Sequence, residues 1–208
     1  MRKGGRLRSF TVDENGALLE KEVFLNETPE AVRTAIKARV GTGEIEEIDK
    51  QFEDGQISYE IDFTNASHER TFKVDEAGKL QDLQVFLAET PSPVQVAIAK
   101  ALQGGVLGDI TQVFEDGDVS YEVDINPDAQ SRTVTIDPQG AVLSVEMALA
   151  ISETPEPVQK AIRDPAKDQR TGAIVKTTED GEVTFDVDFV QGGRWKTVNL
   201  GADGQVVP

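Results

Sequence analysis

The chain has 208 residues, of which 38% are hydrophobic and 28% charged, a composition in the range of folded globular domains. Its formal net charge is -17, from 38 acids against 21 bases, which disfavours binding to nucleic acid or anionic lipid and favours a basic partner or a cation. There is no cysteine, so disulfides, thiolate metal sites and cysteine nucleophiles are excluded.

The first residues, Met1-Arg2-Lys3-Gly4-Gly5-Arg6, are basic but are followed by no apolar h-region, so an export signal would have to lie outside this chain. The longest apolar run, near Met147 to Ile151, is too short to cross a bilayer, and membrane insertion is not expected. From Arg8 to Leu25 two short strands are predicted around a turn at Gly16. Glu-Thr-Pro then recurs at Glu27, Glu89 and Glu153, Glu-Asp-Gly at Glu53, Glu115 and Glu179, and a glycine turn at Gly16, Gly78, Gly140 and Gly204. The spacing from threonine to the Glu-Asp-Gly marker is constant, and so is the spacing from there to the glycine turn. A fixed period of this length is the mark of a repeat architecture.

Thr28, Thr90 and Thr154 are predicted N-caps, with Pro29, Pro91 and Pro155 at the first helical position and Pro93 and Pro157 at the third. Apolar residues follow at helical spacing, as in Val94, Ala97, Ile98, Ala101 and Leu102. In the last unit Pro165 should end the helix early. The period then changes to two. Ile57, Tyr59, Ile61 and Phe63 alternate with polar residues, and so do Val119, Tyr121, Val123 and Ile125, and Val183, Phe185, Val187 and Phe189. These are half-buried strands with a polar outer face. Phe72-Val74, Val134-Ile136 and Val198-Leu200 read as a third strand, and Leu83-Val85-Leu87 as a fourth. The predicted fold class is α+β: tandem units, each one helix packed on a four-stranded antiparallel meander sheet. The units are 1–25 (strands three and four only), 26–88, 89–152 and 153–208, the last without its fourth strand.

A helix followed by Tyr59-Glu60-Ile61-Asp62 or Tyr121-Glu122-Val123-Asp124, then a strand ending Val74-Asp75-x-x-Gly78-Lys79-Leu80, resembles the PepSY-like family. That family shares a helix-on-four-strand repeat with the β-lactamase inhibitor protein. The resemblance implies an exported bacterial protein, periplasmic or surface-attached, with a binding or peptidase-inhibiting role and no catalytic residues to carry over. The last unit departs from the pattern, with Phe185 in place of the tyrosine and Leu200-Gly201 in place of Val-Asp.

His68 is the only histidine and lies in a polar stretch between strands, so a solvated loop residue is expected rather than a catalytic base. Acid-rich turns such as Glu53-Asp54-Gly55 lack the alternating ligand spacing of a calcium loop and read as hairpin turns. No metal or other cofactor is expected. The carboxylate pairs Glu60/Asp62, Glu122/Asp124 and Asp186/Asp188 each fall on one strand face, about 6 to 7 Å apart. Such a separation approaches that of a retaining glycosidase, but the pair recurs in every unit on an open face. Cross-strand pairing with bases such as Lys73 and Lys196, or docking of a basic partner, accounts for it better. Trp195, the only tryptophan, is predicted on the outer face beside Asp186 and Asp188, as an interface anchor or as packing against a neighbouring unit. The expected function is a non-catalytic binding module, inhibiting or regulating an envelope hydrolase through its acidic sheet faces. The alternative is a structural spacer that self-associates through its terminal strands.

Overall fold

The structure, a computed structural model, describes residues 8–13, 16–53, 55–66, 68–126, 131–163, 170–191 and 194–207. Among these the chain forms β1 (Phe10–Val12), β2 (Leu18–Glu22), α1 (Glu30–Val40), β3 (Glu44–Glu53), β4 (Gln56–Asn65), β5 (His68–Asp75) and β6 (Leu80–Gln84). There follow α2 (Ser92–Leu102), β7 (Val106–Glu115), β8 (Asp118–Asn126), β9 (Arg132–Ile136) and β10 (Val142–Ala148). The chain continues with α3 (Glu156–Ile162), β11 (Arg170–Glu179), β12 (Glu182–Gln191) and β13 (Arg194–Gly201). The class is α+β, with three helices and a large antiparallel sheet.

From β1 to β6 and from β8 to β13 the strands are hydrogen-bonded in chain order. Pairing therefore continues past the four-stranded meanders. β2 pairs with β3 (Glu20 opposite Gln51), β6 with β7 (Gln84 opposite Thr111) and β10 with β11 (Glu146 opposite Thr177). A free fourth strand would leave a row of unpaired N–H and C=O groups, and the next strand satisfies them.

The chain forms two compact units, Met1–Val85 with Thr111–Asp118, and Phe86–Ile110 with Val119–Pro208. In the first, Val32, Ile36 and Val40 of α1 pack with Tyr59, Ile61 and Phe63 of β4 and Phe72 and Val74 of β5. Phe63 meets Phe72 edge to face at 5.5 Å between ring centres. In the second, Val94, Ala97 and Ile98 of α2 are buried, as are Tyr121, Val123 and Ile125 of β8 and Val134 and Ile136 of β9. A further core there joins Val158, Ile174, Phe185, Val187 and Leu200. The alternation predicted for the second strand of each repeat is thus the alternation of burial. Each fully buried aliphatic or aromatic side chain contributes about 2 to 3 kcal/mol.

The helix starts differ from expectation. The caps are the prolines Pro29, Pro91 and Pro155, which puts Pro93 and Pro157 at the second helical position. The threonines do not cap. Each turns its hydroxyl back across a short 3-10 turn, Thr28 Oγ1 donating to the Leu25 carbonyl at 2.8 Å, Thr90 to Leu87 at 2.9 Å and Thr154 to Ile151 at 2.8 Å. The marker glutamate closes the same turn, its Oε2 accepting the N–H of Phe24, Phe86 or Ala150. The fourth strand is also shorter than expected. β6 ends at Gln84, and Leu87 opens the 3-10 turn. After Gly204 a single bridge joins Val206 to Leu200. α3 ends at Ile162, while Pro165 lies outside the described residues.

Two-residue hairpins join the first and second strands, with φ 49° at Asp116 and 95° at Gly117, and 49° at Asp180 and 81° at Gly181. Positive φ at both positions matches the twist of antiparallel strands.

Candidate functional site

The outer sheet face is built by the alternate residues that the core does not use. In the first compact unit, register places Glu22 opposite Asp49, Asp49 opposite Glu60, Glu60 opposite Lys73 and Lys73 opposite Asp82. This row carries four carboxylates and one lysine, with Lys73 between Glu60 and Asp82. A neighbouring row sets Glu47 opposite Asp62 and Asp62 opposite Thr71.

Burial, joined at Asp49 by neighbouring carboxylates, shifts proton affinities. Asp49 is pushed up to about 6, first by burial and then by the charges of Glu47, Glu20, Glu60 and Asp62. Its Oδ1 is buried and has no hydrogen-bond partner among the described residues. Glu60 is raised by burial, against the pull of Lys73 and the amide of Gln51, which donates to it at 3.3 Å. Asp82 is raised by burial, also against Lys73. Lys73 therefore serves two acids and neutralises one charge, which leaves the row negative.

A second device repeats along the chain. Thr71 Oγ1 donates to Asp62 Oδ1 at 2.6 Å, Thr133 to Asp124 at 2.8 Å and Thr197 to Asp188 at 2.7 Å. These charge-assisted bonds hold the aspartate of each predicted pair in one orientation. The other member is opposite Lys73 for Glu60, Thr135 for Glu122 and Asn199 for Asp186. Glu122 and Asp124 are exposed, and Asp186 and Asp188 half-buried. Lys73 thus has the place predicted for it. Lys196 does not, because it stands opposite Phe189, one residue out of phase with Asp186 and Asp188.

Trp195 is 53% exposed and lies in the second compact unit. Its ring extends over Gly172 of β11, where an added Cβ would fall 2.5 Å from Cζ3 and 3.2 Å from the Asp188 Cβ. The glycine thus makes room for the indole next to the Asp188–Thr197 pair. His68 is exposed, with Nδ1 3.0 Å from the Ala66 carbonyl oxygen.

The glycine-turn acids have structural tasks. Asp75 Oδ1 accepts the N–H groups of Ala77 and Lys79, and Asp137 Oδ1 those of Gln139 and Ala141. Among the described residues, no group of three or more acids or histidines is placed to hold a metal ion. Asp54, the middle residue of the first Glu-Asp-Gly, lies outside the described residues.

Sequence reasoning missed Asp49, Asp82 and Glu22. The first strand of the unit shows no clean alternation, because a β-bulge between Ile45 and Glu47 shifts its phase. Asp49 was legible only as the residue after Ile48, which is buried.

Residues 95–146 match the PepSY family model, described as peptidase propeptide and YPEB domain. The matched stretch runs from α2 through β10, one helix and the four strands after it. The resemblance read from the Tyr121-Glu122-Val123-Asp124 motif therefore holds, and residues 95–146 are PepSY-like. No curated protein matches the sequence. Similar solved structures include a DUF2874 family protein from Bacteroides ovatus, 12% identical over 57% of this chain and 85% of that one, with a TM-score of 0.48. A BLIP-like protein from Bacteroides fragilis is 19% identical over 57% of this chain and 84% of that one, at 0.47.

Proposed function

We propose that this chain is a non-catalytic binding module of the bacterial envelope, periplasmic or at the cell surface. It docks a basic protein partner on the acidic outer face of its sheet, and through that contact it inhibits or regulates an envelope hydrolase. The observation that carries the reading is the cross-strand row Glu22, Asp49, Glu60, Lys73 and Asp82, in which four carboxylates share one lysine. Carboxylates held this close, with Asp49 driven to about 6, are relieved by a cation brought from outside. The aspartate–threonine bonds at Asp62, Asp124 and Asp188 preorganise the same face elsewhere along the chain. The peptidase-propeptide description of the matched family supports a hydrolase as the partner. Glu122, Asp186 and the half-exposed Trp195 complete the proposed docking set. The chain is divided into tandem units at 1–25, 26–88, 89–152 and 153–208, a division supported by the recurrence of the glutamate–threonine–proline turn with identical hydrogen bonds.

The test is a panel of purified envelope peptidases and β-lactamases, assayed for binding and residual activity with the chain and with its Asp49→Asn/Glu60→Gln/Asp62→Asn variant. Binding that weakens with added salt and falls about tenfold or more in the variant is expected, from loss of charge pairs of roughly 1.4 kcal/mol in total. Failure of every basic partner at low salt, or binding that neither salt nor the variant changes, would sink the reading. The spacer reading has one observation in its favour, the exposure of Phe10 and Val12 on the edge strand β1. Light scattering that stays monomeric across concentrations would remove it.

A further inference from the structure

The repeats of this chain share a register but do not fill the space beside the helix alike. Under α1, Phe72 is 0% exposed, Leu80 and Leu83 pack against the same core, and the Arg39 guanidinium lies 5.6 Å from the Phe72 ring centre. The constant spacing of the repeat puts Val134, Val142, Val145 and Ala101 at the matching positions beside α2. Each is smaller than its counterpart. The space those atoms would occupy is a cavity of about 660 Å³ between α2 and the strands β9 and β10, all within the second compact unit. That is the size of a small-molecule site. Val134, Val142 and Val145 line it from the sheet, and Pro93, Val96 and Ala97 from the helix. Val96 and Val142 are left 54% and 50% exposed.

The two ends of the cavity are unlike. At one end Gly140 rests against the first turn of α2, where an added Cβ would fall 2.6 Å from the Pro93 carbonyl oxygen. At the other end stand Lys100 and Arg132. Arg132 Nη2 donates to the carbonyls of Ala101 and Leu102, which anchors the guanidinium, while its Nε is buried with no hydrogen-bond partner among the described residues. The described lining holds no acid, in a chain with 38 acids against 21 bases. Between Pro93 and Lys100 the helix rises about 10 Å. We propose that this cavity binds a medium-chain fatty acid, with the alkyl chain along the valines and the carboxylate at Lys100 and Arg132. A peptide fits less well. β9 is paired with both β8 and β10, and β10 also with β11, so these strands offer no free edge to a peptide backbone, and backbone groups buried without partners are costly. An alkyl chain needs none. The cavity lies on the helix side of the sheet and stands or falls apart from the acidic outer face.

The probe is decanoate, titrated into the intact chain below its micelle-forming concentration and followed by calorimetry and by amide chemical shifts. Saturable binding to a single site is expected, with shifts at Val96, Ala97, Val134 and Val142 and none in β4 and β5. Lys100→Gln changes an exposed side chain and should weaken decanoate about tenfold, and decanol, which lacks the charge, should bind weaker than decanoate by a similar factor. The variant Ala101→Arg/Val134→Phe/Val142→Leu copies the first repeat into the cavity and should abolish binding. The arm for a different source of the same carboxylate is an acetylated Leu-Leu-Val peptide with a free C-terminus, expected to bind more weakly than decanoate. Absence of saturable decanoate binding overturns the proposal. So does decanol binding as tightly as decanoate, or full affinity in Lys100→Gln or in the filled variant. Tighter binding of the peptide than of decanoate overturns it as well, and makes the cavity a seat for a chain terminus.

Discussion

Asp49 shows how a single carboxylate can oppose the fold that holds it. Its folded pKa of about 6 lies above the unfolded value of about 3.9. Between these values the folded state binds the extra proton, so stability falls as pH rises through that window. Asp49→Asn is therefore expected to stabilise the chain above pH 6 by about 1 kcal/mol, after allowance for solvent screening. Thermal melts should show the gain fade below about pH 4, and an equal gain at all pH values would refute the assignment. Threonine 90 offers a second test. Thr90→Val keeps the buried shape and removes the hydroxyl bond to Leu87, at an expected cost of about 1 kcal/mol. The turn glycines separate two effects. Gly55 and Gly78 have φ of 79° and 77°, but only Gly78 has a neighbour inside Cβ contact distance. Alanine at Gly55 should cost about 1 to 2 kcal/mol from backbone strain alone. Alanine at Gly78 should cost clearly more, because the first turn of α1 must also move. Equal costs in denaturant melts would show that the helix contact carries no weight.

The elements differ in how much of each the sequence displays. The second strands were legible to the residue, because Tyr59, Ile61 and Phe63, or Tyr121, Val123 and Ile125, alternate without interruption over a single core. The first strands β3 and β11 were not, because a bulge in each breaks the period, and Asp49 was missed with β3. The helices were located but their entry was misread. Glu-Thr-Pro has the composition of an N-cap, and only the path of the chain decides that the threonine hydroxyl points backward into a 3-10 turn. α3 has seven residues against eleven in α1 and α2, and it buries Val158 alone. A helix of two turns with one buried residue has little to hold it. Amides of α3 should exchange faster than those of α1 and α2 by at least an order of magnitude in native-state hydrogen exchange.

At the scale of the whole molecule, the charge of -17 sets how binding responds to conditions. Raised proton affinities at Asp49, Glu60 and Asp82 mean that the outer face loses charge earlier on acidification than ordinary carboxylates do. Affinity for a basic partner should therefore fall between pH 7.5 and 5.5, in a range where exposed acids remain ionised. Titration calorimetry at both values, at constant ionic strength, checks this, and unchanged affinity would place the contact elsewhere. Trp195 gives a separate report on the last strands. Gly172→Ala should displace the indole from β11 and shift its emission.

Composition, period and turn chemistry by themselves determined the α+β class, the constant spacing, the buried set of each second strand and the acidic character of the outer face. These follow from local rules: hydrophobic alternation sorts residues between the two faces of a strand, and glycine marks the turns. Tertiary structure alone decided that the strands continue past each fourth strand, that Lys73 stands opposite Glu60, and that Lys196 stands opposite Phe189. It also decided that burial and then neighbouring carboxylates raise Asp49 to about 6. Those outcomes depend on register between strands distant in sequence. A shift of one residue, as at the bulges, exchanges the two faces.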